Sequence, residues 1–234
     1  MNSFDESIIH FLNSFSRKSM FFDRLMNFII DDYFIKGGII VSLFWFFWFH
    51  KSNKINYNRK GIIISVLSTF IAIIVAKLLE LILPFRIRPA YNPEVIFLRP
   101  YRFSDYGLDK WSSFPSDHAV MFFALATGIF LISKKIGTLV YLYVFFIICF
   151  PRMYLGLHYP TDILVGALIG IFVTFLVSML KICDFIVSKV FEFSLKYEGL
   201  FYALFFLLSF QIATMFSEIR TMGLYLFDFL QKVL

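Results

Sequence analysis

Six long apolar runs, separated by short polar segments, restrict this 234-residue chain to few folds. The runs cover roughly residues 34–50, 61–84, 117–133, 136–150, 160–181 and 199–218. A helix needs about 20 apolar residues to cross the hydrocarbon core, and in lipid its backbone groups must be paired internally. We therefore predict an all-α integral membrane protein with about six transmembrane helices in one bundle, forming a single domain over residues 1–234. The third and fourth runs are short, so we expect partly buried ends to extend their helices.

Composition excludes a water-soluble domain. Hydrophobic residues make up 59% of the chain and charged residues 16%, against about 45–50% and about 25% in soluble domains. The net charge of +6 is typical of Lys and Arg collected in loops on one side of a membrane, so no nucleic-acid partner is expected. Cys149 and Cys183 lie in or beside apolar runs without disulfide or metal spacing. We expect no cofactor and no metal site.

The two ends of the chain have a different pattern. Apolar and charged residues interleave over residues 4–31, which indicates one or two amphipathic helices at the membrane interface within residues 1–33. The segment 221–234, "TMGLYLFDFLQKVL", has a similar pattern. We therefore expect interfacial helices at both termini.

Loop charges predict how the chain is oriented. The segments 51–60, 134–135 and 181–198 carry Lys or Arg and, if treated as loops between six spans, lie on one face. The positive-inside rule makes that face cytoplasmic, so the segments 85–116 and 151–159 are extracytoplasmic in the inner membrane. The 85–116 loop also carries five Lys or Arg, which we attribute to function.

The unusual polar residues fall on this predicted outer face. They are Arg86, Arg88, Ser116, Asp117, His118, Arg152, His158 and Asp162. Clustered guanidiniums suit phosphate oxygens, and the N-terminal end of a helix favours an anion. Histidine can attack phosphorus or protonate a leaving oxygen, and Asp162, four residues after His158, can hold one ring nitrogen protonated. Each residue alone is equally typical of a cap, an anchor or a loop charge. Together they favour phosphoryl transfer through a phosphohistidine, with arginines supplying the positive charge in place of a metal.

These residues resemble the motifs of the type 2 phosphatidic acid phosphatase superfamily, integral-membrane phosphatases related to the vanadium haloperoxidases. That family has K-x6-R-P, P-S-G-H and S-R-x5-H-x3-D in order. This chain has Arg88-Pro89, Pro115-Ser116-Asp117-His118 and Arg152-x5-His158-x3-Asp162, all within residues 86–162. The resemblance implies that His158 is the nucleophile, Asp162 its orienting partner and His118 the general acid. It also implies that Arg88, Ser116 and Arg152 bind phosphate, to which we add the backbone of Asp117 and the side chain of Arg86.

Three positions depart from the family pattern. Leu81 stands where the first motif has lysine, so Lys77, Arg86 or Lys110 is expected to supply the charge. Asp117 replaces a glycine, and its carboxylate must turn away or pair with an arginine. Pro151 replaces a serine. These departures concern the substrate range more than the reaction.

The expected substrate is a lipid phosphate or pyrophosphate that enters from the bilayer. Six aromatic residues of the 85–116 loop suit the headgroup level or plain anchoring, namely Tyr91, Phe97, Tyr101, Phe103, Tyr106 and Trp111. Resemblance to compact bacterial members of the family favours undecaprenyl pyrophosphate. The alternatives are a phosphatidylglycerophosphate or phosphatidic acid phosphatase, a phosphotransferase with a sugar or lipid acceptor, an enzyme for soluble sugar phosphates, and a phospholipid-binding transporter without chemistry.

Overall fold

The protein is built from helices joined by irregular segments. The computed structural model describes residues 2–51, 54–105, 107–217 and 222. Its helices are α1 (Ser3–Asn13), α2 (Met20–Asp31), α3 (Phe34–Phe49), α4 (Ile55–Ile82), α5 (Asp117–Ile132), α6 (Lys134–Tyr154), α7 (Pro160–Met179), α8 (Lys181–Lys196) and α9 (Glu198–Ala213). The predicted all-α membrane fold is confirmed. The C-terminal segment 221–234, apart from Met222, and Tyr106 lie outside the described residues.

The apolar helices correspond to the six predicted runs. In the described part of the chain, α4, α6 and α7 are long and apolar enough to cross a membrane, and α3, α5 and α9 are shorter apolar helices. Helix α6 extends past the predicted 136–150 run to Tyr154, as expected for its partly buried end. Helix α5 keeps 16 residues, which span only about 24 Å at about 1.5 Å per residue.

Helix α5 is the centre of the bundle. It packs against α4, α6 and α7, and every residue from Ala119 to Ile129 is buried. An all-apolar surface is what a helix surrounded by protein requires. Because neighbouring helices cover α5, it does not need the full length of a lipid-exposed span.

Helices α5 and α7 run in parallel at very short distance. A Cβ at Gly166 would lie 2.8 Å from the Ser116 carbonyl oxygen, and one at Gly170 would lie 2.4 Å from that of Val120. Only glycine allows the two backbones to approach this closely. The N-terminal ends of both helices therefore meet, and the Ser116 N–H donates to the Asp162 carbonyl at 3.2 Å.

The predicted loop over residues 181–198 is instead a helix, α8. It buries Cys183 and Val187, four residues apart, and leaves its lysines on other faces. Its charges led to the loop prediction, but a charged and an apolar face on one segment make an amphipathic helix. Both cysteines of the chain are free and buried.

The predicted N-terminal amphipathic helices are present as α1 and α2. Their buried faces include carboxylates as well as apolar side chains, since Asp5 and Asp23 are both fully buried. Asp23 accepts hydrogen bonds from the Tyr154 hydroxyl and from the Tyr101 N–H at 2.8 Å. These helices therefore fasten the 85–116 segment to the end of α6.

Candidate active site

One cavity of about 820 Å³ brings five of the eight predicted polar residues together. It lies where α5 and α7 begin and α6 ends, and the 85–116 segment closes one side. Its wall includes Arg88, Asp117, His118, Arg152 and His158. Two loops that are distant in sequence thus place the imidazoles of His118 and His158 on a single cavity. Phosphoryl transfer that uses both histidines requires this arrangement.

His158 is held in one tautomer by its two ring partners. Its Nδ1 lies 2.9 Å from the Ser113 carbonyl oxygen, and its Nε2 lies 3.2 Å from Nη1 of Arg88. A guanidinium can only donate and a carbonyl can only accept, so the proton is on Nδ1 and the lone pair is on Nε2. Nε2 is therefore the nitrogen able to attack an electrophile.

The surroundings of His158 keep its imidazole neutral. The ring is almost fully buried, and this burial is the main cause that holds its pKa below the usual 6.5. The Asp162 carboxylate acts in the opposite direction, while Arg88 and Arg152 reinforce the lowering of the pKa. Since desolvation prevails, the free ring is unprotonated at neutral pH.

Asp162 lies close to His158 without a direct hydrogen bond to it. Oδ2 of Asp162 is 3.7 Å from Nδ1 of His158, a distance that permits an electrostatic contact but not a hydrogen bond. The ring N–H donates to the Ser113 carbonyl instead. The same carboxylate oxygen accepts the Tyr159 N–H at 2.7 Å. Asp162 thus also caps the start of α7 and fixes the turn that carries His158.

Arg86 lies behind the cavity and not on its wall. Its guanidinium donates to the Asp162 carboxylate, and its Nη2 lies 2.6 Å from Oδ2 of Asp5. Asp5 in turn accepts the N–H and hydroxyl of Thr161 at 2.9 and 2.7 Å. The geometry gives Arg86 a positioning contact with Asp162 in place of the predicted contact with substrate.

Arg88 and Arg152 direct guanidinium groups into the cavity. Arg88 donates to the carbonyls of Leu157 at 2.7 Å and Ser112 at 3.1 Å, and its buried Nε has no hydrogen-bond partner among the described residues. Nη1 of Arg152 donates to the Ile148 carbonyl at 2.9 Å. A guanidinium has five N–H groups, so Arg88 retains donors for an anion.

Lys77 is the candidate that reaches the cavity in place of the lysine missing at Leu81. The Lys77 ammonium lies 2.8 Å from Oδ2 of Asp117 and 2.7 Å from Glu80. Leu81 is 82% exposed, and Lys110 is exposed away from the cavity. The Asp117 carboxylate was expected to pair with an arginine, and it pairs with this lysine.

Ser116 is fully buried below the cavity wall. Its hydroxyl accepts the Ala119 N–H at 3.5 Å and caps α5. The cavity is lined by the residues on either side, Pro115 and Asp117. The described geometry therefore gives Ser116 a capping contact in addition to its predicted role.

Three contributors to the site were not singled out from the sequence. Ser113 acts through its backbone carbonyl, which no residue type reveals. Asp5 resembles any acid in the first turn of a helix. Lys36 lines the cavity. The sequence could have indicated it, because an ionisable residue at the edge of an apolar run is commonly functional.

Comparisons with known proteins agree with this geometry. The family described as the PAP2 superfamily matches residues 61–181, just over half of the chain. The chain is 28% identical over 163 residues to the bacitracin transport permease protein BcrC of Bacillus licheniformis, covering 69% of this chain and 72% of that protein. It is 27% identical over 139 residues to the lipid A 1-diphosphate synthase of Escherichia coli strain K12, covering 56% and 54%. No solved structure matches the chain significantly.

Proposed function

Because this chain belongs to the PAP2 superfamily, we propose that it is a metal-independent phosphatase of lipid phosphates or pyrophosphates that forms a phosphohistidine on His158. Membership of this family supports activity as a lipid phosphatase or pyrophosphatase. The observation that carries the proposal is the neutral His158, whose Nε2 faces a cavity that also holds His118 and two arginines.

The reaction proceeds in two displacements. Nε2 of His158 attacks phosphorus, the bond to the leaving oxygen breaks, and His118 gives that oxygen its proton. Arg88 and Arg152 bind the phosphoryl oxygens as their charge develops. Water then attacks the phosphohistidine, His118 takes a proton from that water, and inorganic phosphate leaves.

Asp162 supports His158 electrostatically as the ring becomes cationic. Its carboxylate is 3.7 Å from Nδ1, and the Ser113 carbonyl holds the ring orientation at 2.9 Å. In this assignment Arg88, Arg152 and the backbone N–H of Asp117 bind substrate, and Ser116 supports them by capping α5. Arg86 acts through Asp162.

The proposed substrate is undecaprenyl pyrophosphate, reached from the bilayer at the extracytoplasmic face of the cytoplasmic membrane. Apolar helices and membrane-protein relatives support membrane integration. The Lys-rich segments 51–60 and 134–135, on the opposite side of the bundle from the cavity, support this orientation. Phosphatidic acid and phosphatidylglycerophosphate are the other lipids to be tested.

A phosphotransferase is the second candidate. The name of one relative, a lipid A 1-diphosphate synthase, describes formation of a lipid diphosphate. A phosphohistidine resolved by a lipid acceptor in place of water needs the same residues, so the product and not the site separates the two reactions.

The test is phosphate release by the purified protein from a panel of lipid mono- and diphosphates in detergent. We expect release that continues with chelator present, and a phosphoenzyme labelled from ³²P substrate that His158→Ala lacks. Label transferred to an added lipid in place of inorganic phosphate supports the phosphotransferase. Lipid binding without turnover, equal in wild type and His158→Ala, supports the transporter and contradicts the proposal.

A further inference from the structure

Two π-helical turns meet beside the cavity. One is Phe34–Gly38 at the start of α3, and the other is Val144–Cys149 within α6. The Tyr143 hydroxyl donates to the Ile35 carbonyl and ties the two turns together. Such turns are rare inside helices and are frequently found at functional sites.

Each π-helical turn accompanies a cation that lines the cavity. Lys36 lies within the first turn, and Arg152 follows the second by three residues and donates to its Ile148 carbonyl. These cations come from different helices; the two turns are in contact, and both side chains line the cavity.

Lys36 is 6% exposed, although it carries a charge. Its ammonium lies 4.4 Å from the centroid of the Tyr33 ring and forms no direct ion pair within the described ranges, although Asp31 and Asp32 act on it electrostatically. Burial of an ammonium is unfavourable, and the carboxylates of Asp31 and Asp32 offset only part of that effect. An anionic ligand in the cavity would offset more of it.

The charges of the cavity divide into two groups. Lys77 is already paired with Glu80 and Asp117. Arg88 lies beside Nε2 of His158, where the attacked phosphoryl group belongs. Arg152 is close enough to both His158 and Lys36 to act on each electrostatically. The cavity thus offers positive charge at the nucleophile and again at Lys36.

We infer that Lys36, together with Arg152, which it shares with the attacked phosphoryl group, forms a second phosphate subsite that holds the lipid-attached phosphate of a diphosphate while His158 attacks the terminal one. This inference rests on the proposed function and makes the diphosphate the preferred substrate class. The new bond joins Nε2 to the terminal phosphorus. The bond from that phosphorus to the bridging oxygen breaks, and its electron pair stays on the departing lipid monophosphate, where the two cations stabilise it.

The test compares one polyprenyl tail carrying either a monophosphate or a diphosphate. Lys36→Met keeps the length of the side chain and removes its charge, and Lys189→Met on the exposed surface of α8 is the matched control. Loss of a charged hydrogen bond from the transition state lowers kcat/KM by about 10- to 100-fold. We expect kcat/KM for the diphosphate to fall by this factor in Lys36→Met, with the monophosphate within about threefold. Lys36→Arg is expected to retain most of the diphosphate preference.

The possible outcomes separate the two proposals. Equal losses on both substrates in Lys36→Met, or no loss on either, overturn the subsite while leaving the phosphatase in place. Wild-type protein that releases phosphate from neither substrate refutes the proposed function. If Lys36→Met does not fold, Lys36→Gln takes its place in the same comparison. Inhibition by methylenediphosphonate gives a second measurement. In Lys36→Met its inhibition constant must rise by a larger factor than that of inorganic phosphate.

Discussion

Replacing Arg86 by glutamine tests how a buried charge network supports Asp162. The guanidinium bridges the carboxylates of Asp5 and Asp162, and both aspartates are 0% exposed. It also lies over the Tyr159 ring, 4.1 Å from the centroid. The substitution leaves two buried carboxylates that no longer share a cation.

The structure sets the size of the expected effect. Removing one partner of a buried ion pair costs about 3–5 kcal/mol. The Arg86 side chain is 26% exposed, so solvent screens part of the interaction and the lower value, about 3 kcal/mol, is expected. For a chain of this length that corresponds to a fall of about 6–12 °C in Tm.

Thermal unfolding of the purified protein in detergent measures this loss, with Arg24→Gln on an exposed face of α2 as control. Adding Asp5→Asn to Arg86→Gln neutralises one of the two carboxylates left without a cation. About half of the fall in Tm should then be recovered, together with some activity. A double variant less stable than Arg86→Gln would refute the network. If Arg86 bound substrate directly, as the sequence suggested, Asp5→Asn would restore Tm but no activity.

Four further predictions follow from the same geometry. His158→Ala should lower kcat by about 10⁴-fold or more, and residual turnover near wild type in a phosphate-release assay would remove it as nucleophile. His118→Ala should reduce turnover most for poor leaving groups and least for activated aryl phosphates; equal losses would argue against a general acid. Because burial lowers the pKa of His158, kcat/KM should fall with decreasing pH only below 6.5. An acidic limb of the pH profile with its midpoint above 6.5 would contradict a neutral resting ring. Gly170→Ala puts a Cβ 2.4 Å from the Val120 carbonyl oxygen and should cost about 1–3 kcal/mol and much activity, whereas Gly199→Ala, with nothing within 4 Å, should leave Tm unchanged.

The sequence alone was sufficient for the fold class and for the family resemblance. Apolar runs long enough to cross a bilayer leave a helix as the only way to pair their backbone groups, so helices α3 to α7 and α9 follow from composition and length. The spacing of Arg152, His158 and Asp162 is local: Arg152 lies in the last turn of α6, His158 in the connection, and Asp162 in the first turn of α7. Among the helices in the described part of the chain, α8 was missed, since its charges resemble those of a loop.

Tertiary structure decided which groups reach the cavity. Arg86 and Arg88 are two residues apart, yet one contacts buried carboxylates and the other contacts His158. A regular extended strand would direct both side chains to one face, so the difference comes from the irregular path of residues 84–88. Lys77 reaches the cavity and Leu81 does not, although they are one turn apart, and the Ser113 carbonyl takes the ring N–H expected to go to Asp162. Such contacts depend on how α1, α5 and α7 pack together, and no local spacing contains that information.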